Sequence, residues 1–314
     1  KPTISRENIK FKAVFIDRYK QLLGKDLELF LEYSTKFLRR SIRVNTLKIS
    51  IEELNLRLKE WNLKQIPFCK QGFYIEHIKK ERRDIGNLIE HSLGYFYIQE
   101  AASMIPALVL APEKNDLVLD LCAAPGSKTT QISALMENQG LIIANDIEYK
   151  RLNPLIMNLQ ICGCSNVITT LSKGQYIEDL KFDKILVDAP CSATGAIRKS
   201  LKTLQMYNPS MIKRIEGAQK KLLSNAFRLL KENGTLVYST CSLEPDEDEA
   251  VVDFLLNNFE NAKLEKIKIE NLKSSPVVLE FENKRFNPEI EKCLRIYPQD
   301  NDTEGFFIAK IKKV

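Results

Sequence analysis

The chain has 314 residues, of which 44% are hydrophobic and 28% are charged, and these shares exclude a disordered chain, a collagen-like repeat and a membrane-embedded architecture. No run of about 18 apolar residues occurs and the amino-terminal segment lacks the apolar core of a secretory signal, so we expect a cytoplasmic protein with no membrane partner. The seven cysteines are odd in number and scattered, which favours reduced thiols over a disulfide framework.

The net charge of +6 is unevenly distributed along the chain. Residues 1–90 contain 20 Lys and Arg against 12 Asp and Glu, whereas residues 91–314 contain 27 against 29. An excess of positive charge in the first third suits a polyanion such as RNA, which basic side chains bind through its phosphates. A generic solvated surface is the alternative explanation.

Apolar residues recur at helical spacing between residues 11 and 40 and predict two helices divided near Gly24. The stretch SIRVNTLKIS alternates as a short strand does, IEELNLRLKEW is typical of a helix, and GFYIEH is typical of a second strand. Together these segments predict a small basic α+β domain, which we place at residues 1–92.

From residue 116 onward, short apolar runs alternate with segments of helical spacing. The predicted strands are DLVLDLC, LIIAND, NVITT, FDKILVD and TLVYST. This alternation predicts an α/β fold with a doubly wound parallel sheet, in a second domain at residues 93–314. Ligands of such a sheet bind beyond the carboxyl ends of its strands.

The first of these strands runs into the turn Cys122-Ala123-Ala124-Pro125-Gly126-Ser127-Lys128, and the second ends at Asp146. A small-residue turn lets backbone amides approach a ligand, and an acid at the next strand end accepts hydrogen bonds from ribose hydroxyls. The glycine placement excludes both a phosphate-binding P-loop and a dinucleotide fingerprint. The pattern therefore predicts a nucleoside-containing cofactor, with a surface acid or a helix cap as the alternative role for Asp146.

Two further strands end just before Cys191 and Cys241. Neighbouring parallel strands would bring both thiols to one crevice, about 10 Å or less apart. A lone cysteine is usually a small buried hydrophobe, which is our interpretation of the other cysteines away from the turn: Cys69, Cys162, Cys164 and Cys293. We expect no metal, because Cys162 and Cys164 have no nearby histidine.

The motifs DLCAAPGSKTT, DAPCSATG, STCS and the terminal GFFIAKIKK resemble those of the RNA cytosine-C5 methyltransferase family, which includes the bacterial Fmu/Sun protein and nucleolar relatives. The resemblance covers the chain from about residue 41 onward, and the paired PC and TC motifs are its most specific part. It implies a Rossmann-like methyltransferase sheet, S-adenosylmethionine as the cofactor and methyl transfer to carbon 5 of an RNA cytidine. It also implies that Cys241 attacks the base and that Cys191 assists release of the methylated product.

The implied chemistry explains the need for a thiol, because carbon 5 of cytosine becomes nucleophilic only after a thiolate has added to carbon 6. The resemblance also implies that Asp188 holds the cytosine amino group. Lys128 is expected to reach the reacting base. A turn cap for Asp188 and a surface position for Lys128 are the alternatives.

For the cofactor, the resemblance implies contacts from the turn after the first strand, from the next strand-helix unit and from Asp188. These residues are Cys122, Ala123, Ala124, Pro125, Gly126, Ser127, Lys128, Asp146, Arg151 and Asp188. The chain departs from the family pattern at 171–174, where LSKG stands in place of a frequent acid. It also has Ala193 where a glycine is common and Gln299 where a histidine is frequent, and we interpret both as tolerated.

A base inside a helix does not expose carbon 6, so the target cytidine must be single-stranded or extruded. We expect the basic stretch Arg39, Arg40, Arg43 and Asn45 to contact RNA, with a solvated strand edge as the alternative. Transfer RNA is the preferred substrate because the accessory region is small, and ribosomal RNA is the second choice. We expect a monomer.

Three other functions fit parts of the pattern. A non-catalytic RNA-binding assembly factor can keep a methyltransferase fold, although the retained cysteines, Asp188 and cofactor turn argue against decay. An enzyme that methylates nitrogen needs no cysteine, and DNA is a weaker substrate because the resemblance is to RNA enzymes. Replacing Cys241 by alanine separates carbon 5 chemistry from nitrogen chemistry and scaffolding.

Overall fold

The computed structural model describes residues 9–80 and 84–314. Residues 1–8 and 81–83 lie outside it. The first eight residues include most of the amino-terminal segment that we expect not to be a secretory signal. The helices of the described residues are α1 Ala13–Leu23, α2 Leu27–Thr35, α3 Ile51–Arg57, α4 Ile89–Ser92, α5 Ile105–Leu110, α6 Ser127–Leu135, α7 Tyr149–Cys162, α8 Lys202–Met206, α9 Pro209–Leu229, α10 Glu249–Asn258 and α11 Pro298–Asn301. Among these helices of the described residues, none combines the length and the apolar content needed to cross a bilayer.

The strands of the same residues are β1 Ser41–Val44, β2 Trp61–Ile66, β3 Cys69–His77, β4 Phe96–Ile98, β5 Leu117–Asp120, β6 Leu141–Asp146, β7 Val167–Leu171, β8 Phe182–Asp188, β9 Leu230–Thr240, β10 Ala262–Glu265, β11 Glu280–Phe281, β12 Lys284–Arg285, β13 Leu294–Ile296 and β14 Phe306–Lys313.

The N-terminal strands form an antiparallel sheet in the order β2-β3-β1-β4. Apolar side chains of this sheet, including Ile42 and Phe73, are buried together with Leu54 of α3 on one face. The predicted helix that begins at Ile51 is shorter than expected, because Trp61 instead begins β2 with its ring in the same core. The α+β character predicted for this part of the chain is confirmed.

Helices α1 and α2 are divided at Gly24, as predicted, and pack against loops of the second part of the chain. Phe15, Tyr19 and Phe30 form an aromatic stack that shares a core with Leu243. The Tyr19 hydroxyl donates a hydrogen bond to Glu244, 3.0 Å away. These helices therefore support the segment that follows β9.

The remaining long strands form a second sheet in the order β10-β14-β9-β8-β5-β6-β7, with β13 alongside β14. Strands β9, β8, β5, β6 and β7 are parallel, which confirms the predicted doubly wound sheet. Apolar clusters lie on both of its faces, as is typical of a parallel sheet covered by helices on each side. The antiparallel strands β10, β13 and β14 extend one edge and are not among the predicted strands.

The strand order reverses at β5, and this reversal positions the site. Strands β6 and β7 follow on one side of β5, whereas β8 and β9 follow on the other. The loops that leave the carboxyl ends of β5 and β8 therefore diverge to opposite faces of the sheet. Such a point is where ligands of an open α/β sheet bind.

Candidate active site

Two thiols meet at the carboxyl ends of neighbouring strands. Strand β8 ends three residues before Cys191, and β9 ends directly before Cys241. Because β8 and β9 are parallel neighbours, both loops leave the sheet at the same edge. The Sγ atoms of Cys191 and Cys241 lie 3.3 Å apart, so the expected proximity of the thiols is confirmed.

The backbone of the two cysteine loops is held at close range. The Gly195 amide donates to the Cys241 carbonyl at 2.9 Å, and the Gly305 amide donates to the Gly195 carbonyl at 2.9 Å. A Cβ atom at Gly195 would lie 2.5 Å from the Gly305 oxygen, which is too close for any side chain. Only glycine at 195 permits this approach of three backbone segments.

Hydrogen bonding and burial both favour the protonated form of the Cys191 thiol. The hydrogen bond with Cys241 raises the pKa of Cys191 well above its ordinary value, and burial of the Cys191 thiol raises it further. Cys191 therefore stays protonated at neutral pH. Either sulfur can donate in this pair, and the geometry places the Cys191 S–H within reach of the Cys241 sulfur.

Glu247 joins the residues that follow the two cysteines, and the sequence analysis did not identify it. Its carboxylate accepts from the Ser192 amide at 2.9 Å and from the Ser242 hydroxyl at 3.1 Å. Burial raises the pKa of Glu247 to about 7. The signal in the sequence is the acidic run PDEDE, which is separated from the end of the STCS motif by two residues.

An ion pair between a buried lysine and a partly exposed aspartate lies beside the thiols. Lys128 Nζ donates to Asp188 at 2.7 Å and to the Ser103 hydroxyl at 3.0 Å, and the Ser239 hydroxyl donates to the other Asp188 oxygen at 2.8 Å. Burial alone lowers the pKa of Lys128, but the Asp188 carboxylate raises it more, so the amine is charged. Lys128 is 6% exposed, which contradicts the alternative of a surface position.

The turn between β5 and α6 has the close backbone packing that its small residues predict. Its peptide bond between Ala124 and Pro125 is cis, and Gly126 has a φ of 103°. A Cβ atom on Gly126 would lie 3.0 Å from Leu155 of α7, so both the backbone conformation and the space favour glycine. The Ala123 amide donates to the Asn145 carbonyl at 2.8 Å, which ties the turn to the end of β6.

Asp146 and Arg151 lie directly against this turn. One Asp146 oxygen accepts from the Ala124 amide at 3.2 Å, and the other accepts from the Glu148 amide at 3.1 Å. Arg151 donates to the Ala124 carbonyl at 2.6 Å and pairs with Asp146 at 3.3 Å. The structure thus brings together the loop, the acid and the arginine that the sequence analysis grouped.

Asp120, at the end of β5, is a further acid at this edge that the sequence analysis did not assign. Its Oδ2 accepts from the Thr129 hydroxyl at 2.7 Å, while its Oδ1 is buried without a partner among the described residues. Burial raises the pKa of Asp120 to about 7. An orphaned acceptor between the turn and Asp188 suits a ligand that carries hydrogen-bond donors.

Two of the four residues expected to contact RNA are structural instead. Arg43 is 2% exposed and donates to the Ser127 carbonyl at 2.7 Å and to Thr130 at 2.9 Å. Asn45 is 1% exposed and its side-chain amide donates to the Gly94 and Cys162 carbonyls at 2.8 Å. Burial within the fold therefore corrects their assignment.

Comparison with known proteins identifies the family. The model of the family described as 16S rRNA methyltransferase RsmB/F matches residues 107–312, and that of the N-terminal domain of 16S rRNA methyltransferase RsmF matches residues 11–101. The chain belongs to the RsmB/F family. This family consists of S-adenosylmethionine-dependent RNA cytosine-C5 methyltransferases, so the predicted family and enzyme class are confirmed.

Two relatives of the chain differ in how much of their length it covers. The chain is 46% identical over 308 residues to the tRNA (cytosine(49)-C(5))-methyltransferase of Pyrococcus abyssi, an alignment that covers 97% of each protein. It is 39% identical over 316 residues to the ribosomal RNA small subunit methyltransferase F of Aliivibrio fischeri, with 98% of this chain but 65% of that protein covered. The chain therefore spans slightly less than two thirds of the bacterial relative.

Two solved structures of similar proteins share the fold of almost the whole chain. A methyltransferase homolog from Pyrococcus horikoshii superposes with a TM-score of 0.87 at 39% identity and covers 97% of this chain and 96% of its own. NSun6 from Pyrococcus horikoshii, solved with SFG, superposes with a TM-score of 0.84 at 27% identity over 97% of this chain and 98% of its own. The likeness includes the N-terminal sheet as well as the parallel sheet.

Proposed function

We propose that this enzyme methylates carbon 5 of a cytidine in transfer RNA, with Cys241 as the nucleophile and Cys191 as the thiol that assists product release. The observation that carries the proposal is the 3.3 Å separation of the two sulfur atoms beside the pair Lys128–Asp188. A nitrogen methyltransferase or an assembly factor has no need for two thiols at the ends of adjacent parallel strands.

The proposed reaction uses the two sulfurs in sequence. A bond forms from Cys241 Sγ to carbon 6 of the base, and the 5,6 double bond gives carbon 5 the electrons for attack on a methyl group. S-adenosylmethionine supplies that methyl group when bound. Carbon 5 then passes its proton to a water molecule and the bond from Sγ to carbon 6 breaks, which restores the double bond. The S–H of Cys191 is placed to protonate the departing Cys241 sulfur.

Asp188 and Lys128 orient the base in this proposal. The Asp188 side chain is 29% exposed, whereas Lys128 lies behind it, so the carboxylate is the member that a substrate reaches. A carboxylate accepts a hydrogen bond from the exocyclic amine of cytosine. Lys128 holds Asp188 in place through their ion pair.

The residues around the turn fit S-adenosylmethionine. Its ribose hydroxyls and ammonium group are donors, and Asp146 and the orphaned Asp120 oxygen are acceptors at adjacent strand ends. Its carboxylate is an acceptor that suits backbone amides where a turn enters a helix. We propose that the predicted set holds it: Cys122, Ala123, Ala124, Pro125, Gly126, Ser127, Lys128, Asp146, Arg151 and Asp188, joined by Asp120.

Relative length favours transfer RNA over ribosomal RNA. The alignment with the Pyrococcus abyssi protein, whose name specifies transfer RNA, covers 97% of both chains, whereas the ribosomal RNA enzymes of the F type are longer. Ribosomal RNA is the second candidate, supported by the match to the 16S rRNA methyltransferase family.

In this proposal the N-terminal part, predicted as residues 1–92, contributes RNA contacts through Arg39 and Arg40. All seven cysteines are free, which suits action in the reducing cytoplasm.

Cysteine variants test the proposed chemistry. Bisulfite sequencing of transfer and ribosomal RNA incubated with the Cys241→Ser enzyme is expected to show no 5-methylcytidine. The Cys191→Ser enzyme is expected to accumulate a covalent RNA–protein complex on denaturing gels, because the Cys241 sulfur no longer leaves efficiently. Cys164→Ser, at a half-buried position outside the site, is the control and should methylate normally. Normal 5-methylcytidine from Cys241→Ser would overturn the mechanism.

A further inference from the structure

An open cleft lies on the N-terminal sheet, outside the site described above. It has a volume of about 470 Å³ and is lined by cationic and aromatic side chains that include Arg39, Arg40, Lys64, Tyr74 and Lys80. The residues come from the segment before β1, from β2 and β3, and from the turn that follows β3.

Strand register explains why these side chains share one face. In the antiparallel pair β2 and β3, Lys64 lies opposite Tyr74 and Asn62 lies opposite Glu76, so all four project to the same side. The opposite side carries the core of this sheet, with Ile75 among its buried residues. One side of the pair β2 and β3 therefore contributes Asn62, Lys64, Tyr74 and Glu76 to the cleft, and Trp61, Ile75 and His77 of the same strands complete its lining.

An arginine lies flat against the aromatic wall of the cleft. The Arg39 guanidinium carbon is 3.6 Å from the centroid of the Tyr74 ring, and Arg39 Nε is 2.7 Å from Asp302. The ring and the carboxylate thus hold the guanidinium in one orientation. A planar guanidinium over a tyrosine offers a stacking surface for an unpaired nucleobase. Burial raises the pKa of Tyr74, so its phenol stays neutral and does not repel the phosphates of a bound RNA.

The charges of the cleft match a sugar-phosphate chain. Among the described residues that line the cleft, Arg39, Arg40, Lys64 and Lys80 are opposed by one carboxylate, that of Glu76. Basic side chains interleaved with aromatic rings are typical of surfaces that bind single-stranded nucleic acid without strong sequence preference.

The chain segment that contains Asp302, the ion-pair partner of Arg39, connects the cleft to the loops that carry the thiols. Asp302 precedes Gly305 by three residues, a span of at most about 10 Å along the chain. Gly305 donates to Gly195, which in turn donates to the Cys241 carbonyl. The cleft therefore lies beside the active site, on the side where β14 begins.

We propose that this cleft is an RNA subsite that takes an unstacked nucleobase of the strand flanking the target cytidine. The base stacks on the Arg39–Tyr74 pair, and the neighbouring phosphates contact Arg40, Lys64 and Lys80. The inference rests on the proposed function, because it assigns a place to RNA whose target base is in the active site. It goes beyond that function by naming a second contact that holds the strand.

Substitutions in the cleft test this subsite, with an in vitro transcribed transfer RNA as the probe. Tyr74→Leu is expected to raise the KM for this RNA by about 5- to 100-fold with little change in kcat, since a stacking platform for one base is lost. Tyr74→Phe keeps the ring and should restore the wild-type KM. Lys64 is exposed, so Lys64→Ala should leave the fold intact. It should lower the slope of log RNA affinity against log salt concentration by about 0.7.

Lys263→Ala removes an equally exposed cation from β10 and is the matched control, expected to leave KM unchanged. If Tyr74→Leu and Lys64→Ala are folded and match Lys263→Ala in KM and salt slope, the cleft is not an RNA subsite, and the proposed chemistry stands. Binding is measured by fluorescence anisotropy without cofactor, so the subsite is tested even if the Cys241→Ser result overturns the mechanism.

Discussion

Single buried side chains determine where protons reside near the site, and Glu304 is the clearest case. It is 3% exposed, and its Oε1 has no partner among the described residues. Burial and then the nearby Glu100 carboxyl raise the pKa of Glu304 to about 8. Burial also raises the pKa of Glu100, which accepts from the Glu304 amide at 3.0 Å. At neutral pH Glu304 therefore carries a proton beside the start of β14.

This proton makes stability depend on pH. Because the folded state binds it more tightly than the unfolded chain, the stabilisation is complete below the ordinary glutamate pKa and is lost as pH rises through about 8. Glu304→Gln removes this dependence, so its stability relative to wild type should rise by roughly 1–3 kcal/mol between pH 5 and pH 9. Thermal denaturation of both proteins at several pH values measures this difference in stability. The exposed Glu270→Gln is the control, and parallel curves for Glu304→Gln and wild type would refute the expectation.

At the scale of elements, a buried arginine connects the C-terminal strands to the start of α10. Arg295 of β13 donates to Glu249 at 2.8 Å and to Asp248 at 3.1 Å. The Thr240 hydroxyl at the end of β9 donates to the same Asp248 at 2.6 Å. The antiparallel edge strands thus help to hold the segment that carries Cys241.

Removing this arginine is expected to destabilise the whole fold. Arg295→Met leaves the buried Asp248 and Glu249 without their cation, which costs about 3–5 kcal/mol for an ion pair broken on one side. Urea denaturation at pH 7 measures the loss. Arg285→Met, at a side chain that is 84% exposed, removes the same charge and should change stability by less than about 0.5 kcal/mol. Equal effects of the two variants would contradict this role of Arg295.

At the scale of the whole molecule, the N-terminal sheet is attached to the cofactor turn through buried polar contacts. Arg43 of β1 reaches the Ser127 carbonyl at the start of α6, and Asn45 reaches the Cys162 carbonyl at the end of α7. The side chain of Gln99, just after β4, accepts a further hydrogen bond from Arg43. The position of Lys128, next to Ser127, therefore depends on a sheet about 80 residues earlier in the chain.

Loss of this attachment is expected to weaken cofactor binding and stability together. Arg43→Met removes hydrogen bonds from a buried cation to the Ser127 carbonyl and to Thr130, at a cost on the order of 3 kcal/mol. The Kd for S-adenosylmethionine, measured by isothermal titration calorimetry, should rise. Arg57→Met on the surface of α3 is the control and should leave both quantities unchanged. An unaltered Kd in a folded Arg43→Met enzyme would show that β1 does not position the turn.

The sequence alone was sufficient for the five parallel strands and for the thiol pair. Strands β5 to β9 are short apolar runs between helices, and such local periodicity is set by which side chains one element buries. Cys191 and Cys241 directly follow two such strands, so the topology of a parallel sheet places them at one edge. The cofactor turn was recognisable because its small residues are contiguous.

Only the tertiary structure determined which charged groups are buried and what they contact. Arg43 and Asn45 lie in a basic stretch that suggests a solvent-facing surface, yet Arg43 contacts a turn 84 residues later and Asn45 a helix end 117 residues later. Glu100 and Glu304 are separated by 204 residues, and Asp120 is recognised as an orphan only when its neighbours are known. Burial and hydrogen-bond partners depend on long-range packing, and no local pattern of residue types contains that information.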